Sequence, residues 1–517
     1  MSAALDQHRT LVQALLKRLQ TQDPDARLIE THISSVILAG ERAYKLKKPV
    51  DFGFLDFTEA ARRSHFCHEE LRLNRALGGG LYLEVAEIHG TPEDPRLDGE
   101  GEPIETAVVM KRFPDGAQLD QVLTREGLPL ERMDELAERI AAFHAAAPVV
   151  AMDSALGEPS TVHFPMAQNF EQIKPLLDPS DTPRHDQLER LRLWTEAAYA
   201  RLGETLSARK RDGFVRELHG DMHLGNMALV DDSIVIFDAI EFNDSFRWID
   251  TMSELAFLLM DLEDRQLPAH ARRLLNRYLE RTGDYAGLEL LRFYQTYRAM
   301  VRAKVALLGV AFGGTPEQIA QARARYARYV DLAEHYTQPG QPRLFITHGF
   351  SGSGKSHAAL ILAESADLIR IRSDLERQRL FPERGEEALF AGRYAPQATG
   401  QTYARLLELA EGAVRAGFGV ILDATHIKAS PRQAARALAD KLAVPFNILD
   451  LRCPDEILRQ RLMARAAAGK DPSEATLAVL DAQIRDAEPL NDEEKALSLS
   501  LRCDTPAEGQ IGELLRA

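Results

Sequence analysis

The sequence predicts two folded parts of different class, an α+β part followed by an α/β part built on a parallel sheet. Three observations predict this arrangement. Up to residue 113, short strand-like runs alternate with helical segments, and from about residue 118 to residue 305 the apolar spacing is mainly helical. Beyond residue 343, apolar strands alternate with long helical patterns, which is typical of a parallel sheet.

The first part opens with a helix and a hairpin. Residues 1–20 place apolar side chains at helical spacing among charged ones, which predicts an amphipathic helix and not a signal peptide. Residues 34–38 and 42–47 are strand-like runs joined by a short turn that contains Gly40, which predicts an antiparallel hairpin. A helix over residues 59–77 follows and ends at three consecutive glycines.

The remaining elements of the first part are a polar loop and three strands. Residues 92–103 are rich in proline, glycine and aspartate, which predicts a loop. Within the helical region that follows, one strand interrupts the helices. The predicted strands lie at residues 81–88, 107–113 and 233–237.

A linker separates the two parts. Residues 337–342 lack periodicity and contain two prolines and a glycine, so we predict domains at residues 1–336 and 343–517. A chain of 517 residues also exceeds what one hydrophobic core usually organises. Strands of the second part are predicted at residues 343–348, 420–423 and 446–451.

The composition is that of a globular protein, with 45% hydrophobic and 27% charged residues. The formal net charge of −15 gives no electrostatic reason to expect nucleic acid as a partner. The three cysteines, Cys67, Cys453 and Cys503, show no paired spacing, so we expect neither a disulfide framework nor cysteine-bound zinc. Apolar runs are shorter than the roughly 20 residues that cross a bilayer. We therefore expect a soluble, cytoplasmic protein.

The second part begins with a phosphate-binding loop (P-loop). An apolar strand at residues 344–347 runs into a glycine-rich loop, and helical spacing resumes directly after it. Glycines let backbone N–H groups converge on phosphates, Lys355 would neutralise the β and γ oxygens, and the Ser356 hydroxyl would ligate Mg²⁺. The loop residues expected to bind nucleotide are Gly349, Ser351, Gly352, Ser353, Gly354, Lys355 and Ser356.

Two further features of the second part carry polar side chains with alternative readings. Asp374 opens a predicted helix with Arg377 one turn later, and would act on an acceptor hydroxyl or simply cap the helix beside a solvated arginine. Arg461 and Arg465, with Arg459 nearby, share a helix on which guanidinium groups would stabilise transferring phosphate or form a solvated basic face.

Together with Asp423 at the end of the strand 420–423, these motifs resemble the small P-loop kinases of the zeta-toxin, gluconate-kinase and polynucleotide-kinase type, over about residues 343–517. The resemblance implies that Asp374 is the substrate-facing base and that Asp423 lies near Mg²⁺ or its waters. It implies an arginine-bearing lid. The arginines that it places against substrate or phosphate are Arg372, Arg377, Arg461 and Arg465.

The densest polar cluster of the first part runs from His219 to Asn226, and the strand after it delivers Asp238 and then Glu241. Phosphoryl transfer from Mg·ATP needs one carboxylate at the acceptor hydroxyl, and a second carboxylate plus an amide oxygen for the metals. Asp221, Asp238 and Asn226 supply that set. Because two histidines of the cluster are four residues apart, zinc is an alternative, although two glycines argue against a continuous helix there.

His219-Gly220-Asp221, four spacer residues and Asn226 resemble the catalytic loop of the aminoglycoside phosphotransferase and choline-kinase superfamily. The resemblance spans about residues 31–305 and implies a two-lobed, protein-kinase-like fold. It implies that Asp221 is the catalytic base and that Asn226 and Asp238 bind metal. Glu241 would replace or supplement a metal ligand.

The same resemblance implies a lysine for the ATP phosphates on the early hairpin and a glutamate partner on the next helix. Lys45 and Lys47 share a strand face, so we name Lys45 first and keep Lys47 as the alternative. Glu69 or Glu70 is the partner. Downstream, Asp250 and Glu254 would hold the catalytic loop from behind as structural carboxylates.

The chain as a whole looks like bacterial fusions of these two kinase domains. We therefore predict a bifunctional ATP-dependent kinase that uses ATP and Mg²⁺ to phosphorylate small hydroxyl acceptors in both halves. One alternative makes one half an ATP-binding regulatory module, and another makes the second half a nucleic-acid 5′-hydroxyl kinase. The sequence predicts neither acceptor and no oligomeric state.

Overall fold

The described residues of the protein, taken from a computed structural model, are 3–53, 55–97, 99–311, 313–382, 395–468 and 476–515, with the backbone alone at 465–468. The chain divides into two compact units, each assembled from separated segments. Unit 1 contains Met1–Arg132, Arg139–Asp264 and Phe293–Glu334, and unit 2 contains Met133–Glu138, Arg265–Arg292 and His335–Ala517. The change of domain at residues 337–342 stays a prediction; residues 338–343 carry no helix or strand.

Unit 1 begins with a six-stranded antiparallel sheet in the order β1-β2-β3-β6-β4-β5. Its elements are α1 (Ala3–Gln20), β1 (Arg27–Glu30), β2 (Ser34–Ala39), β3 (Arg42–Lys47), α2 (Ala60–Asn74), β4 (Tyr82–Thr91), β5 (Asp94–Arg96) and β6 (Glu105–Lys111). The predicted hairpin is confirmed as β2 and β3. The prediction of a plain loop at residues 92–103 was wrong, because β5 pairs there with the end of β4. Three residues are too few to show a strand period.

The two faces of this sheet pack against different helices. Tyr44 and Leu46 of β3 belong to the apolar core that α1 covers. Side chains alternate between the faces of a strand, so Lys45 and Lys47 lie on the opposite face, where α2 packs. The same alternation that directs Tyr44 and Leu46 into the core therefore places Lys45 and Lys47 side by side on the opposite face.

The following region is mainly helical, as predicted, but it contains four short strands instead of one. The three strands that were not predicted, β7, β8 and β10, are three or four residues long within helical surroundings, so they carry too little pattern to be recognised. The elements are α3 (Leu119–Glu126), α4 (Arg132–Ala146), α5 (Pro159–Ile173), α6 (Thr182–Arg211), β7 (Val215–Glu217), β8 (Met227–Val230), β9 (Ser233–Ile236), α7 (Asp244–Arg247), β10 (Trp248–Asp250), α8 (Thr251–Asp264), α9 (Pro268–Thr282), α10 (Leu288–Leu308) and α11 (Pro316–Thr337). Among the helices of the described chain, none is long and apolar enough to cross a membrane.

Unit 2 is built on a five-stranded parallel sheet in the order β12-β13-β11-β14-β15. This confirms the predicted α/β class and adds β12 and β15 to the predicted strands. The elements are β11 (Leu344–His348), α12 (Lys355–Ala366), β12 (Leu368–Arg372), α13 (Ser373–Leu380), α14 (Pro396–Arg415), β13 (Gly419–Asp423), α15 (Ala429–Leu442), β14 (Phe446–Arg452), α16 (Asp455–Ala468), α17 (Leu477–Asp486), α18 (Asp492–Ala496), β15 (Ser498–Arg502) and α19 (Ala507–Leu514).

Helix α9 belongs to unit 2 and lies against the edge strand β12. The side-chain amide of Asn276 donates to the Leu368 carbonyl at 3.0 Å and accepts from the Arg370 N–H at 2.6 Å. Glu280 forms a buried ion pair with the Arg370 guanidinium, 2.5 Å between the nearest atoms. The Asn276 side chain thus gives hydrogen-bond partners to two backbone groups at the open edge of the sheet.

The structure contains a disulfide between Cys453 and Cys503, so the expectation of unpaired cysteines was wrong here. The two residues are 50 apart in sequence, which hides the pairing. They directly follow β14 and β15, whose last residues Arg452 and Arg502 are register partners. The parallel pairing of these strands therefore brings the two sulfur atoms together. Cys67 is free and buried in unit 1.

Candidate active sites

Unit 1 holds a network of two lysines on one glutamate. Lys45 Nζ donates to Glu70 Oε1 at 2.8 Å, and Lys47 Nζ donates to Glu70 Oε2 at 2.7 Å. Lys45 also forms an ion pair with Asp238, and Lys47 forms one with Glu241. Each oxygen of Glu70 thus serves one lysine, and each lysine has a second carboxylate.

Opposite charges outweigh burial in this network. Burial alone would lower the pKa of Lys45, but Asp238 and Glu70 hold that pKa well above its ordinary value. Burial alone would raise the pKa of Glu70, but Lys45 and Lys47 hold it below its ordinary value. Both lysines are therefore cations at neutral pH, and Glu70 is a carboxylate.

Glu69, the other predicted partner, points to a different set of residues. It accepts hydrogen bonds from Arg72 one helical turn away, and Arg72 also binds Glu217. Its side chain is partly exposed, whereas Glu70 is fully buried. Consecutive residues of a helix face directions 100° apart, and the structure turns Glu70 toward the sheet.

The catalytic-loop segment from His219 to Asn226 is held from behind by buried side chains. Glu254 on α8 accepts from the backbone N–H groups of His219 and Gly220 at 2.6 and 2.9 Å, and its other oxygen lies 2.9 Å from His144 Nε2. Burial would raise the pKa of Glu254, but His144 holds it below its ordinary value. The prediction that Glu254 is a structural anchor is confirmed. Asp250 instead pairs with Arg209.

Three further contacts fix the same loop. Arg298 on α10 donates to the Gly220 carbonyl at 3.0 Å, and Asp261 accepts from the Leu224 N–H at 2.9 Å. Gly220 has φ +84°, and a Cβ there would lie 2.6 Å from the Phe246 carbonyl oxygen, so a side chain does not fit. The loop conformation is therefore set by neighbours that short-range sequence patterns do not reveal.

Asp221 lies at the centre of the loop and keeps 36% of its side chain exposed. Asn226 Nδ2 donates to Asp221 Oδ2 at 3.0 Å. The Gly225 N–H donates to Nδ1 of His223, so that ring carries its proton on Nε2, 3.5 Å from Asp221 Oδ2. Burial would raise the pKa of Asp221, but His223 and then Arg302 lower it overall, which keeps the carboxylate ionised.

Arg302 on α10 was not singled out from the sequence. Its Nη1 lies 3.4 Å from Nε2 of His223, and its Nε donates to the Tyr329 hydroxyl at 3.5 Å. Arg302 lies 79 residues along the chain from His223 of the loop motif. In the sequence it is one arginine among several on a predicted helix, and nothing distinguishes it from a solvated arginine.

The segment that ends in Asp238 is tied to this loop. The Phe237 N–H donates to the Asn226 carbonyl at 3.0 Å, and His219 Nε2 donates to the Phe237 carbonyl at 2.8 Å. Asp238 has φ +67°, its N–H donates to the Tyr82 hydroxyl, and 44% of its side chain is exposed. Asp221 and Asp238 are thus the accessible carboxylates, while Glu70 is enclosed.

In unit 2 the P-loop joins β11 to α12, as predicted. Gly349, Gly352 and Gly354 have φ of +141°, +87° and +94°, a region that only glycine adopts without strain. A Cβ on Gly349 would lie 2.9 Å from the Leu451 carbonyl oxygen. Lys355 Nζ donates to the Phe350 carbonyl of its own loop at 2.7 Å.

The carboxyl edge of the parallel sheet gathers the other predicted residues. Asp423 ends β13, the neighbour of β11, and its Oδ2 lies 3.7 Å from Arg372 Nε at the end of β12. Asp374 opens α13 directly after β12, and its Oδ1 lies 3.9 Å from Arg377. Ligands of open α/β sheets bind at this edge.

Two arginines of the predicted lid bind different groups of the protein. Arg459 forms an exposed ion pair with Asp481, which fits the reading of a solvated basic face. Arg461 donates to the carbonyls of Gly352 and Cys503 at 3.3 and 2.9 Å, so it contacts the P-loop. The side chain of Arg465 lies outside the described residues.

One residue that contacts the P-loop was missed. Gln483 on α17 accepts from the Ser351 N–H at 2.9 Å and donates to the Ser351 hydroxyl at 3.0 Å. Glutamine on an amphipathic helix gives no signal that distinguishes it from a solvated residue.

Both sites offer oxygen atoms that suit Mg²⁺, which prefers carboxylate, amide and hydroxyl oxygens. In unit 1 the amide oxygen of Asn226 accepts no hydrogen bond from the described residues, and it stands beside the exposed Asp221. In unit 2 the buried Oδ2 of Asp423 has no hydrogen-bond donor among the described residues. Buried polar atoms normally have a hydrogen-bond partner, so Oδ2 of Asp423 fits a cation.

Comparisons with known proteins agree with this geometry. The model of the phosphotransferase enzyme family matches residues 54–294, and the model of an AAA domain matches residues 344–490. The uncharacterized proteins Rv2004c of Mycobacterium tuberculosis and Mb2027c of Mycobacterium bovis are each 32% identical over 473 residues, which is 90% of this chain and 91% of theirs.

The chain belongs to the family of these mycobacterial proteins. The resemblance to a fusion of two kinase domains is confirmed. The protein is an ATP-dependent kinase whose acceptor is a hydroxyl group.

The chain is also similar to solved structures of other proteins. A choline/ethanolamine kinase family protein from Mesorhizobium loti covers 63% of this chain and 99% of its own, with 12% identity and a TM-score of 0.33. The APS kinase CysC of Mycobacterium tuberculosis covers 34% of this chain and 98% of its own, with 19% identity and a TM-score of 0.26.

Within this family architecture, most of the sequence-predicted residues fall into two groups. The phosphotransferase segment, with the strand before it, gathers Lys45, Lys47, Glu70, Asp221, Asn226, Asp238 and Glu241. The AAA segment gathers the P-loop, Asp374, Arg377 and Asp423 at one sheet edge. Glu241 is committed to Lys47 in a buried pair, which leaves it poorly suited to bind a metal. The roles of individual residues stay predictions.

Proposed function

We propose that the protein is a bifunctional kinase, in which each half transfers the γ-phosphoryl group of ATP to its own small hydroxyl acceptor. The observation that carries this proposal is that each unit has its own lysine together with its own pair of aspartates, Asp221 and Asp238 in unit 1 and Asp374 and Asp423 in unit 2. These are the groups that phosphoryl transfer requires. A single kinase with a regulatory half would need only one such set.

In the first half, Asp221 is the proposed base. Its carboxylate is ionised, partly exposed and oriented by Asn226, so it would accept the proton of an acceptor hydroxyl as the oxygen attacks. Lys45, held by Glu70, would bind ATP phosphate oxygens. Asn226 and Asp238 would hold Mg²⁺, which supplies neutralisation of the charge on the phosphates.

In the second half, the P-loop N–H groups and Lys355 would bind the triphosphate. Ser356 and Asp423 would hold Mg²⁺ or its waters, and Asp374 would orient the acceptor hydroxyl. Arg372 and Arg377, which flank Asp374, would bind anionic groups of substrate or phosphate. Binding requires Lys355 Nζ to leave the Phe350 carbonyl, a change that exchanges one hydrogen bond for several charged ones.

The test is to assign ATP consumption to each half in the full chain. Phosphoryl transfer from ATP is measured over a panel of sugars, polyols, amino alcohols and nucleosides for wild type, Asp221→Asn, Lys355→Ala and the double variant. We expect Asp221→Asn to lower transfer to one set of acceptors about 10³-fold. We expect Lys355→Ala to lower transfer to a different set at least about 10²-fold, and the double variant to lose both.

Matched controls lie outside both sites. Asp231→Asn changes a carboxylate in the β8–β9 turn, and Lys495→Ala removes an exposed lysine of unit 2. Both are expected to behave as wild type. If one single substitution removes all ATP consumption, only one half is a kinase, and the other binds nucleotide without turnover.

A further inference from the structure

The disulfide between Cys453 and Cys503 lies directly beside the P-loop. Cys453 belongs to the apolar cluster that Leu458 and Leu462 of α16 form with Phe350, the second residue of the loop. Both cysteine residues are partly exposed, as exchange with a small thiol or disulfide requires. A bond at this place links the start of α16 to the end of β15.

Arg461 connects the disulfide to the backbone of the loop. It donates to the carbonyl of Cys503 and to the carbonyl of Gly352 with the two Nη atoms of one guanidinium. A Cβ on Gly352 would lie 3.1 Å from the Leu458 carbonyl oxygen, so α16 packs closely on the loop. A shift of α16 relative to β15 would therefore also move the backbone of the P-loop at Gly352.

The neighbouring helix α17 occupies a phosphate-binding group of the loop. Leu480 of α17 packs in the same apolar cluster as α16, and Gln483 accepts the Ser351 N–H. That N–H belongs to the set that a P-loop offers to phosphate oxygens. In this arrangement Lys355 also binds the Phe350 carbonyl. We call α16 and α17 together the clamp. With the clamp in this position, the Ser351 N–H and Lys355 Nζ both bind groups of the protein itself, so neither is available to phosphate.

We propose that Cys453 and Cys503 form a thiol–disulfide modification site, in which the disulfide fixes the clamp on the P-loop and weakens nucleotide binding by the second half. This rests on the proposed nucleotide site of that half. In the dithiol form, α16 is free to move with Arg461, and Gln483 can leave Ser351. Intracellular disulfides are commonly transient and redox-sensing.

The chemistry is thiol–disulfide exchange with a low-molecular-weight disulfide such as oxidised glutathione. One cysteine thiolate attacks that disulfide, which forms a mixed disulfide and releases one small thiolate. The second cysteine thiolate then attacks the mixed disulfide, forms the Cys453–Cys503 bond and releases the second small thiolate. Two cysteine thiols lose two electrons and two protons, and the small disulfide gains them as two thiols.

The test measures nucleotide affinity of the full chain in defined redox buffers. Calorimetry with Mg²⁺ and adenosine 5′-(β,γ-imido)triphosphate is run on wild type and on Lys355→Ala, and the binding that Lys355→Ala removes is assigned to the second half. Buffers span ratios of reduced to oxidised glutathione. Differential alkylation with mass spectrometry gives the fraction of Cys453–Cys503 disulfide in each buffer.

We expect the Lys355-dependent affinity to be on the order of tenfold weaker in the disulfide form, in proportion to the bonded fraction. The double variant Cys453→Ser/Cys503→Ser should bind like the reduced protein in every buffer. Cys67→Ser, which changes the buried cysteine of unit 1, should keep the full response.

Two results overturn the inference while the proposed function survives. In the first, Lys355-dependent binding is present but equal in the oxidised and reduced buffers. In the second, excess oxidised glutathione forms no Cys453–Cys503 bond. If Lys355→Ala removes no binding in either redox state, the proposed nucleotide site of the second half fails, and the inference fails with it.

Discussion

The two candidate sites hold their lysines in different ways. Lys45 is neutralised by Glu70 and Asp238, which come from segments 25 and 193 residues away along the chain. Lys355 is satisfied by a carbonyl five residues away in its own loop. The first site is therefore assembled by the tertiary fold, and the second is largely encoded within one strand–loop–helix segment.

This difference teaches where each site is vulnerable. Removing a carboxylate from the first site leaves a buried lysine with one carboxylate instead of two, which costs folding free energy. Loosening a hydrogen bond of the P-loop leaves the fold intact and changes how readily the loop accepts phosphate. Substitutions in the first network should therefore change mainly the free energy of unfolding. Substitutions around the P-loop should change mainly the affinity for nucleotide.

The strongest test of this contrast is Glu70→Gln, which removes the shared partner of Lys45 and Lys47. Because Asp238 and Glu241 still pair with the two lysines, we expect unit 1 to lose about 1.5–3 kcal/mol of its free energy of unfolding, the usual size for hydrogen bonds to charged groups. Both tryptophans of the chain, Trp194 and Trp248, lie in unit 1, so urea unfolding followed by tryptophan fluorescence measures that unit. The matched control Glu69→Gln weakens the contact with the half-exposed Arg72 and should cost at most about 1 kcal/mol. Equal losses for both variants would contradict the contrast.

The Glu70→Gln effect should also depend on pH. Because the folded-state pKa of Glu70 is lowered from 4.5, its contribution is complete above that pH and is lost as pH falls through the lowered value. The difference in free energy of unfolding between wild type and Glu70→Gln should therefore shrink steadily below about pH 4.5. A difference that stays constant down to pH 3, in urea titrations at each pH, would show that ionised Glu70 contributes little.

Glu254→Gln sharpens the comparison within unit 1, because it acts on the position of the catalytic loop. Loss of the charged acceptor for the N–H groups of His219 and Gly220 should lower kcat of the first half about 10²-fold. The KM for ATP should change little, since Lys45 is untouched. Glu263→Gln on the same helix is the control. A raised KM with unchanged kcat would place Glu254 in nucleotide binding instead.

Gln483→Ala is expected to give the smallest of these effects, and it tests a direct contact with the P-loop. Without the side-chain amide, the Ser351 N–H is released, and Lys355-dependent affinity for Mg·nucleotide should rise about 2- to 10-fold. Gln510→Ala, which removes an amide bound to the Arg502 backbone in the same unit, should leave affinity unchanged. Calorimetry that finds weaker binding for Gln483→Ala would mean that Gln483 supports the nucleotide.

The same contrast explains what the sequence could predict. The P-loop was predictable because consecutive residues form it between recognisable elements. The choice between Glu69 and Glu70 was not, because it depends on how α2 is rotated against the sheet. Glu241 looked like a metal ligand because its partner Lys47 is 194 residues away. The Cys453–Cys503 pair was hidden because β15 alternates serine and leucine and was not recognised as a strand.

Helix α9 has a practical consequence for separating the two activities. It lies within the segment that the phosphotransferase family model matches, yet it folds with unit 2. A fragment that begins at residue 343 would therefore lack Glu280 and Asn276. The guanidinium of Arg370 would then have lost the Glu280 carboxylate that it pairs with. Losing one partner of such a buried pair costs about 3–5 kcal/mol. Truncation at 337–342 should thus yield an unstable C-terminal fragment, and point substitution in the intact chain is the sounder way to dissect it.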